Sequence, residues 1–298
     1  MKHLLSIETL AQADMETILA ATVNLKKERG RHATLPLAGQ TWAMLFSKSS
    51  TRTRVSFEVG IHELGGHVIF LPANQIQLGR GEPIKDTARV LGRMVHGAVF
   101  RTFAQSDVED FAQYARIPTI NALTDQEHPC QILADIFTFQ EKRGSIRGKV
   151  VTFIGDGAGN IAASLIFAAP KASFELRIAA PKAFQPPADL LKRAGGKIVV
   201  TADVRAAASG ADSLYTDVWV SMGHETEAAD RARQFSGYQV NSAVVNLAQP
   251  GALVMHCLPA YRGKEIDEAT FEANAQTIFD EAENRLHVQK AILSWLVS

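Results

Sequence analysis

Short apolar runs alternate with segments of helical periodicity along the whole chain, and this alternation is the feature that most limits the fold. The first series of apolar runs lies at residues 41–46, 68–71, 98–101 and 118–121. The second series lies at residues 150–154, 174–180, 197–200, 212–216 and 253–256. Strands that alternate with helices form βαβ units, in which the strands are parallel. The pattern predicts an α/β protein with two doubly wound domains, each with a central parallel sheet flanked by helices.

A short break rich in glycine and arginine separates the two series at residues 144–148. The chain has 298 residues, which is too long for one typical core and suits two α/β domains. We therefore expect a first domain at residues 1–143 and a second domain at residues 144–283. A closing helix is predicted at residues 281–296, and residues 284–298 end the chain after the second domain.

Charge, cysteine content and hydropathy disfavour several classes of protein. Lysine plus arginine number 31 and aspartate plus glutamate number 31, whereas a general nucleic-acid binder would have a basic excess. Two cysteines are too few for a disulfide-stabilised secreted protein of this length. The N-terminal apolar run is interrupted by Glu8, and the longest apolar stretch, at residues 161–169, is too short to span a bilayer. We expect a soluble cytoplasmic protein with no nucleic-acid or membrane partner.

Ligands of doubly wound sheets bind beyond the carboxyl ends of the strands, and polar motifs follow the predicted strands. Ser50, Thr51, Arg52 and Thr53 lie between a predicted strand and a helix. A helix N-terminus, hydroxyl donors and a guanidinium group together suit a phosphate. An N-cap followed by a solvated basic turn is about equally compatible with the pattern. No Gly-x-x-x-x-Gly-Lys-Ser/Thr motif occurs, so a P-loop nucleotidase is disfavoured.

Further donors follow the next strands of the first series. Arg101 ends the run at 98–101, although one such arginine could also lie on the surface. His128 and Gln131 stand where a helix begins and could donate to a carbonyl or phosphate oxygen. A helix start with proline in its first turn is the structural alternative, and Cys130 is better explained by packing.

The second series carries three polar motifs and, at residues 219–239, a polar aperiodic segment that is too long for a simple connection and is expected to be a functional loop. The Gly155-to-Asn160 turn lacks the third glycine of a dinucleotide fingerprint, so it favours a tight turn with Asn160 aimed at a ligand, and an NAD-dependent dehydrogenase stays an alternative. Asp217 at a strand end suits an ammonium group or caps a turn. His256 and Cys257 point to opposite faces of a strand, which favours hydrogen bonding over nucleophilic catalysis by Cys257. Zinc-type spacing is absent, and no metal is predicted.

Taken together, in this order and at these intervals, the motifs resemble those of the aspartate/ornithine carbamoyltransferase family. Residues 50–54 resemble its carbamoyl-phosphate motif, and Arg101 with His-Pro-Cys-Gln at 128–131 resemble the next two elements. Asp-Val-Trp-Val-Ser-Met-Gly at 217–223 and His-Cys-Leu-Pro at 256–259 are similar to the ornithine-type signatures. The resemblance extends over essentially the whole chain.

The resemblance implies an enzyme that transfers the carbamoyl group of carbamoyl phosphate to ornithine by direct amine attack and releases citrulline and phosphate. It implies a role in arginine biosynthesis, no cofactor, and a homotrimer or a multiple of trimers with shared sites. Residues 1–143 would bind carbamoyl phosphate, residues 144–283 would bind ornithine, and residues 284–298 would return to the first domain.

The resemblance also implies a role for each matching residue. Arg101, His128, Asp217 and Cys257 would be catalytic. The carbamoyl-phosphate site would comprise Ser50, Thr51, Arg52, Thr53, Gln77 lent to a neighbouring subunit, Arg101, His128, Gln131, Cys257, Leu258 and Arg285. Ornithine would be bound by Asn160, Asp217, Ser221 and Met222. Many members have two asparagines where this chain has Gly159 and Asn160, and we align Asn160 with the ligand-binding one.

Two alternatives remain within this resemblance. A non-catalytic relative would bind carbamoyl phosphate as a scaffold or regulator, but the intact set of Arg52, Arg101, His128 and Cys257 argues against it. A sibling enzyme would act on putrescine or on an N-acylated ornithine. The 217–223 segment favours free ornithine because it supplies groups for both an α-amine and an α-carboxylate.

Overall fold

The structure is a computed structural model that describes residues 1–220 and 225–298. Ser221 and Met222 lie outside the described residues. The chain divides into two compact units. Unit 1 comprises Met1–Phe137 and Glu283–Ser298, and unit 2 comprises Thr138–Ala282. The sequence places the divisions at 143/144 and 283/284, whereas the units divide at 137/138 and 282/283, inside helices that run on from one unit to the next.

Unit 1 contains a parallel sheet with its helices. Along the chain its elements are α1 (Gln12–Lys27), β1 (Thr41–Phe46), α2 (Thr51–Glu63), β2 (His67–Pro72), α3 (Ile84–Leu91), β3 (Gly97–Arg101), α4 (Gln105–Ala115), β4 (Thr119–Leu123) and the start of α5 (Pro129–Arg143). Two short 3-10 turns, Ala73–Gln75 and Gln77–Arg80, follow β2. In the described residues the strand order is β2-β1-β3-β4, and all three pairings are parallel.

Central strands β1 and β3 show why these segments become strands. They are buried along almost their whole length, as parallel strands covered on both faces are. Gly97 begins β3 opposite Trp42, and a Cβ atom there would lie 2.5 Å from the indole ring. Only glycine at this position leaves room for the buried indole of Trp42. Glycine also ends the helix that follows β1: α2 ends at Glu63, and Gly65 just beyond it has a φ of 87°.

Unit 2 repeats the alternation with a larger sheet. Its elements are β5 (Val150–Ile154), α6 (Asn160–Ala172), β6 (Glu175–Ala179), α7 (Ala188–Ala194), β7 (Ile198–Thr201), α8 (Val204–Ala208), β8 (Ser213–Thr216), α9 (Ala228–Gln234), α10 (Ser242–Val245), β9 (Leu253–His256), α11 (Glu268–Ala273) and the start of α12 (Ala275–Val297). In the described residues the order is β7-β6-β5-β8-β9, with every pairing parallel. The predicted α/β class with two doubly wound sheets is confirmed.

Several short helices escaped the sequence interpretation. Residues 219–239 were expected to form a long loop, but a 3-10 turn, Glu225–Glu227, and helix α9 lie within that range. Helices α8, α10 and α11 have four to six residues each, too few for periodicity to show. Each nevertheless begins after a capping side chain that accepts a backbone N–H, namely Asp203, Asn241 and Asp267. The closing helix begins at Ala275 rather than at residue 281.

The strand orders determine where each sheet can bind a ligand. In unit 1 the order reverses at β1 and β3, because the chain goes from β1 to β2 on one side and returns to β3 on the other. In unit 2 the reversal falls between β5 and β8. A crevice opens beyond the carboxyl ends of the strands at such a point. Among the described residues, no helix is both long enough and apolar enough to cross a membrane.

Candidate active site

The carboxyl end of β1 leads into a capped helix that carries the phosphate-type motif. Ser50 is the N-cap of α2, and its hydroxyl accepts the Thr53 N–H at 3.2 Å and donates to the Thr53 hydroxyl at 3.0 Å. Thr51 and Arg52 form the first turn, where backbone N–H groups lack intrahelical acceptors. This end of α2 therefore concentrates hydroxyl groups, a guanidinium group and the positive end of a helix dipole beside the reversal point of the sheet.

The closing helix brings a second arginine to the same motif. Arg285 lies on α12, is buried, and donates from Nη2 to the Thr53 hydroxyl at 2.6 Å. The two residues are 232 positions apart in the sequence. Both belong to unit 1, and Arg285 thus adds a positive charge to the α2 motif.

Arg101 and His128 are buried polar side chains at the ends of neighbouring segments of unit 1. Arg101 is the last residue of β3, and His128 immediately precedes α5. Burial, reinforced by the positive charges of Arg285 and Arg101, holds the pKa of His128 well below its usual range. His128 is therefore neutral at physiological pH and can donate one N–H without carrying a charge of its own.

The first turn of α5 contains Cys130 and Gln131 of the His-Pro-Cys-Gln motif. Gln131 is buried and donates from its amide nitrogen to Asp135 at 2.8 Å. This bond orients the side-chain amide of Gln131, whose oxygen is a group that can accept from an NH2 group. Burial raises the pKa of the Cys130 thiol to about 12, and its sulfur donates to the Asn121 carbonyl at 3.5 Å. This thiol stays protonated, in line with the packing role predicted for it.

Lys48 is a buried cation in unit 1 that the sequence interpretation missed. It follows β1, pairs with Asp125, and its ammonium lies 4.3 Å from the centre of the Phe103 ring. Its partners follow β3 and β4, so three strand ends meet there. A lysine just before the Ser-Ser-Thr-Arg motif was the available signal. Gln77, in contrast, is exposed in the second 3-10 turn.

In unit 2, the turn after β5 is built to present Asn160. Asp156 accepts the Ala158 N–H at 3.0 Å, Gly159 is the N-cap of α6, and Asn160 is the first helical residue. Gly155 has a φ of 151°, which favours glycine. The turn follows β5, one of the two strands between which the sheet order reverses, and this is where a doubly wound sheet binds its ligand.

Asp217 immediately follows the neighbouring strand β8 and contacts Cys257, the residue that follows β9. The Asp217 carboxylate accepts the Cys257 thiol at 3.0 Å and the Val218 N–H at 2.7 Å. Burial raises the pKa of Asp217, while His256 and the hydrogen bond from Cys257 act in the opposite direction. The sequence placed both residues at strand ends, and the fold of unit 2 brings their side chains into contact.

His256 holds the turn that follows β9. Its Nδ1 accepts the Leu258 N–H at 2.9 Å, so the ring proton is on Nε2, which donates to Glu265 at 3.1 Å. Glu265 also accepts the Tyr261 N–H at 2.6 Å. Leu258 has a φ of 58°, a left-handed backbone conformation that orients its peptide groups. As the sequence indicates, His256 does not activate Cys257: it is bonded to Glu265, which the sequence interpretation missed.

One group of side chains in unit 2 has donor atoms close enough for a metal ion. Ligand atoms of Asp217, His256 and Cys257 all lie within 4.8 Å of one another. Each of them already takes part in a hydrogen bond: Cys257 with Asp217, and His256 with Leu258 and Glu265. Among the described residues, these hydrogen bonds are enough to explain why the three side chains lie close together.

The predicted site residues thus form two clusters, one in each unit. In unit 1 the structure brings together Ser50, Thr53 and Arg285 by hydrogen bonds, and places Arg101 close enough to His128 to affect its pKa. In unit 2 it brings Asp217 to Cys257. Ser221 and Met222 were predicted to bind ornithine and lie outside the described residues.

Two family profiles match this chain and define its class. The profile of the aspartate/ornithine carbamoyltransferase carbamoyl-P binding domain matches residues 2–141, and that of the Asp/Orn binding domain matches residues 147–296. The chain therefore belongs to the aspartate/ornithine carbamoyltransferase family, and is a carbamoyltransferase by class.

Within that family the chain is similar to proteins named ornithine carbamoyltransferase. That of Akkermansia muciniphila is 54% identical over 299 residues, which cover 99% of this chain and 98% of the relative. That of Methylococcus capsulatus is 48% identical over 297 residues, with 100% and 99% covered.

Solved structures with the same name have the same fold. The Pyrococcus furiosus enzyme superposes with a TM-score of 0.92 at 43% identity, covering 98% of this chain and 96% of its own. The anabolic enzyme of Campylobacter jejuni gives 0.93 at 39% identity, with 99% of each chain covered.

Proposed function

We propose that this chain transfers the carbamoyl group of carbamoyl phosphate to the side-chain amine of ornithine, giving citrulline and phosphate in arginine metabolism. The relatives and solved structures named ornithine carbamoyltransferase support this activity. The observation that carries it is the Asp217–Cys257 contact at the reversal point of the second sheet. A carboxylate there suits a cationic amino acid such as ornithine and repels an acidic one such as aspartate.

The residues of unit 1 have the chemistry that carbamoyl phosphate requires. The phosphate would be bound at the start of α2 by Ser50, Thr51, Arg52 and Thr53. Arg285, which is hydrogen-bonded to Thr53, would add a second positive charge beside it. Arg101 and neutral His128 would donate to the carbamoyl oxygen as negative charge develops on it. These groups would also stabilise the dianionic phosphate as it leaves.

The residues of unit 2 have the chemistry that the amine substrate requires. Asn160, Asp217, Ser221 and Met222 would bind ornithine. Cys257 would lie near the attacking amine, and the Leu258 backbone would hold the carbamoyl NH2, as would Gln131. The amine lone pair attacks the carbamoyl carbon, the bond from that carbon to the phosphate oxygen breaks, and the proton that the amine loses passes to the departing phosphate, which leaves as the dianion. The transfer is direct, with no covalent enzyme intermediate.

The domain roles, assembly and location are further parts of the proposal. Residues 1–143 would bind carbamoyl phosphate, residues 144–283 would bind ornithine, and residues 284–298 would return to the first domain, as the Arg285–Thr53 bond supports. We further propose a biosynthetic role in the cytoplasm and a homotrimer, in which exposed Gln77 is lent to the neighbouring subunit's site. Sedimentation equilibrium of the purified chain would overturn this assembly if it gave a monomer or dimer.

The test of the proposed function is citrulline formation by the purified chain. Carbamoyl phosphate is supplied with ornithine and, in parallel, with aspartate, putrescine or acetylornithine. Citrulline from ornithine, with little carbamoylation of the other amines, is the expected result. Carbamoylation of another amine alone would overturn the ornithine half of the proposal, and no product at all would favour a scaffold that binds carbamoyl phosphate without reaction.

A further inference from the structure

Arg231 is a buried arginine of unit 2 to which the proposed reaction assigns no role. It lies on α9, within the range that the sequence indicated as a loop, and is 9% exposed. Its Nη1 donates to Asp156 at 2.7 Å and to the Trp219 carbonyl at 3.0 Å, and its Nε donates to Glu227 at 2.9 Å. One guanidinium group therefore joins three segments of the unit.

Two of these partners flank the residues proposed to bind ornithine. Asp156 opens the turn after β5, where its other oxygen accepts the Ala158 N–H, and this turn ends at Asn160. Trp219 stands two residues after Asp217 at the end of β8. Because β5 and β8 are the strands on either side of the reversal point, Arg231 bridges the two loops that border the crevice there.

Aromatic packing restricts the guanidinium further. The Phe184 ring centre lies 4.8 Å from it, and Phe184 packs on Phe235 with ring centres 4.7 Å apart. Trp219 stacks on the same Phe235 at 5.6 Å with an interplanar angle of 13°. Trp219 is thus held both by its ring and by its carbonyl, and the cation rests against the same aromatic group.

The charge balance shows that Arg231 is held as a cation. Burial acts to lower its pKa, but the hydrogen bonds and charges of Asp156 and Glu227 outweigh burial and raise it. A guanidinium presents several donors in a fixed planar fork, which a lysine cannot reproduce. Removing it would leave the partly buried Asp156 carboxylate with one fewer donor and release the Trp219 carbonyl.

We propose that Arg231 is a positioning residue for the amino-acid substrate: by bridging Asp156 and Trp219 it sets the distance between Asn160 and Asp217. This inference rests on the proposed function. Loss of the bridge should weaken ornithine binding selectively, because small displacements of positioning groups have large effects on substrate alignment. Carbamoyl phosphate would be bound mainly by residues of unit 1, and its two proposed contacts in unit 2, Cys257 and Leu258, follow β9 outside the Arg231 bridge, so its KM should be little affected.

The experiment compares steady-state kinetics of variants at saturating co-substrate. Arg231→Gln and Asp156→Asn should each raise the KM for ornithine about tenfold or more, while kcat and the KM for carbamoyl phosphate stay within about threefold. Arg231→Lys should restore part of the ornithine affinity, because it keeps the charge and one contact. If Arg231→Gln does not fold, Asp156→Asn still tests the bridge, because it changes the carboxylate partner and keeps the arginine.

Two controls separate positioning from general stability. Arg177 also pairs with a carboxylate, Glu175, and donates to the carbonyls of Ala207 and Ser209, but it lies along β6 rather than at the reversal point. Arg177→Gln should leave the KM for ornithine within about twofold. Glu227→Gln should do the same, because Glu227 contacts the arginine but flanks neither Asn160 nor Asp217.

The outcomes distinguish this inference from the proposed function. An unmodified chain that forms no citrulline would overturn the proposed function and with it this inference. An active unmodified chain whose Arg231→Gln and Asp156→Asn variants keep the ornithine KM would overturn the inference alone. An equal rise in the KM of both substrates, or the same rise in Arg177→Gln, would show a structural role and would also overturn it.

Discussion

His128 and Cys130 stand two residues apart, and burial shifts their titration in opposite directions. Burial disfavours the charged form of each, so it lowers the pKa of His128 and raises that of Cys130 to about 12. Both are therefore uncharged at neutral pH. His128 can act as a neutral hydrogen-bond donor, and Cys130 is unsuited to act as a thiolate nucleophile.

Replacing His128 tests its role as a donor to the carbamoyl oxygen. His128→Asn should lower kcat by about 10²–10³-fold, the usual effect of losing one donor to a developing oxyanion, with a smaller change in the KM for carbamoyl phosphate. His62, exposed near the end of α2, provides the control, because His62→Asn should leave kcat unchanged. An unchanged kcat in His128→Asn would remove it from the chemistry.

Gly159 is a residue whose replacement the structure allows. Its φ of −75° suits any residue, and an added Cβ would make one tight contact, at 3.3 Å from the Asp156 carbonyl, that a small shift can relieve. Gly157, two residues earlier, would place a Cβ 2.9 Å from Ile178 and 3.0 Å from the Phe184 carbonyl. Position 159 should therefore tolerate a side chain better than position 157, where packing requires glycine.

Alanine at each position tests this difference. Gly159→Ala should change the free energy of unfolding by less than about 0.5 kcal/mol, whereas Gly157→Ala should cost about 1–3 kcal/mol through overpacking. Equilibrium unfolding in urea measures both. Equal losses would contradict the assignment of the clash to Gly157.

At the scale of elements, a buried ion pair fastens α12 to α2 within unit 1. Lys290 is 0% exposed and donates to Glu63 at 2.6 Å, to His32 at 3.0 Å and to the Leu25 carbonyl at 3.3 Å. Three acceptors match the three donors of an ammonium group. The same helix carries Arg285 to Thr53 at the other end of α2.

Removing the lysine should therefore be costly. Lys290→Met should reduce the free energy of unfolding by about 2–3 kcal/mol, because partly exposed Glu63 loses a charged hydrogen bond and keeps only Arg29 as its cation. Adding Glu63→Leu should recover part of that loss. Arg233→Met, which breaks the exposed pair with Asp230, should cost no more than about 1 kcal/mol. Urea unfolding measures all three variants beside the unmodified chain, and a loss in Lys290→Met as small as in Arg233→Met would refute the structural role.

The same pair predicts a dependence on acid pH. Burial acts to raise the pKa of Glu63, but Lys290 and Arg29 outweigh it and lower that pKa below the ordinary value of 4.5. A carboxylate with a lowered folded-state pKa stabilises the protein above its unfolded pKa and loses that contribution as the pH falls through the folded pKa. The stability difference between the unmodified chain and Lys290→Met should therefore shrink below about pH 4.5.

Element prediction from the sequence worked where a segment was long enough to show its period. The strands of both sheets and the longer helices were recognisable, since apolar spacing is a local property. Helices α8, α10 and α11 were not, because tertiary packing rather than intrinsic periodicity supports helices of four to six residues. Helix α9 was not recognised because its sequence, AADRARQ, is largely polar and shows no apolar period.

At the scale of the whole molecule, the proposed reaction predicts a rate that rises toward alkaline pH. Only the deprotonated side-chain amine of ornithine can attack, and lysine-like amines titrate near ~10.4. His128, with its lowered pKa, is already neutral at pH 7 and does not limit the rise. Initial rates of citrulline formation from pH 7 to 9.5 at saturating carbamoyl phosphate should increase, and a flat profile would refute the requirement for a deprotonated amine.

The sequence by itself determined the alternation of strands and helices, and the location of Ser50, Arg101, Asn160 and Asp217 at strand ends, because both depend on near neighbours in the chain. The tertiary structure alone decided which strand ends are adjacent, that Arg285 reaches Thr53 across 232 positions, and that Arg231 bridges Asp156 and Trp219. Such contacts depend on strand order and on packing between distant segments. No local pattern encodes them, since the free energy that selects them comes from burying surfaces that meet only after the chain has folded.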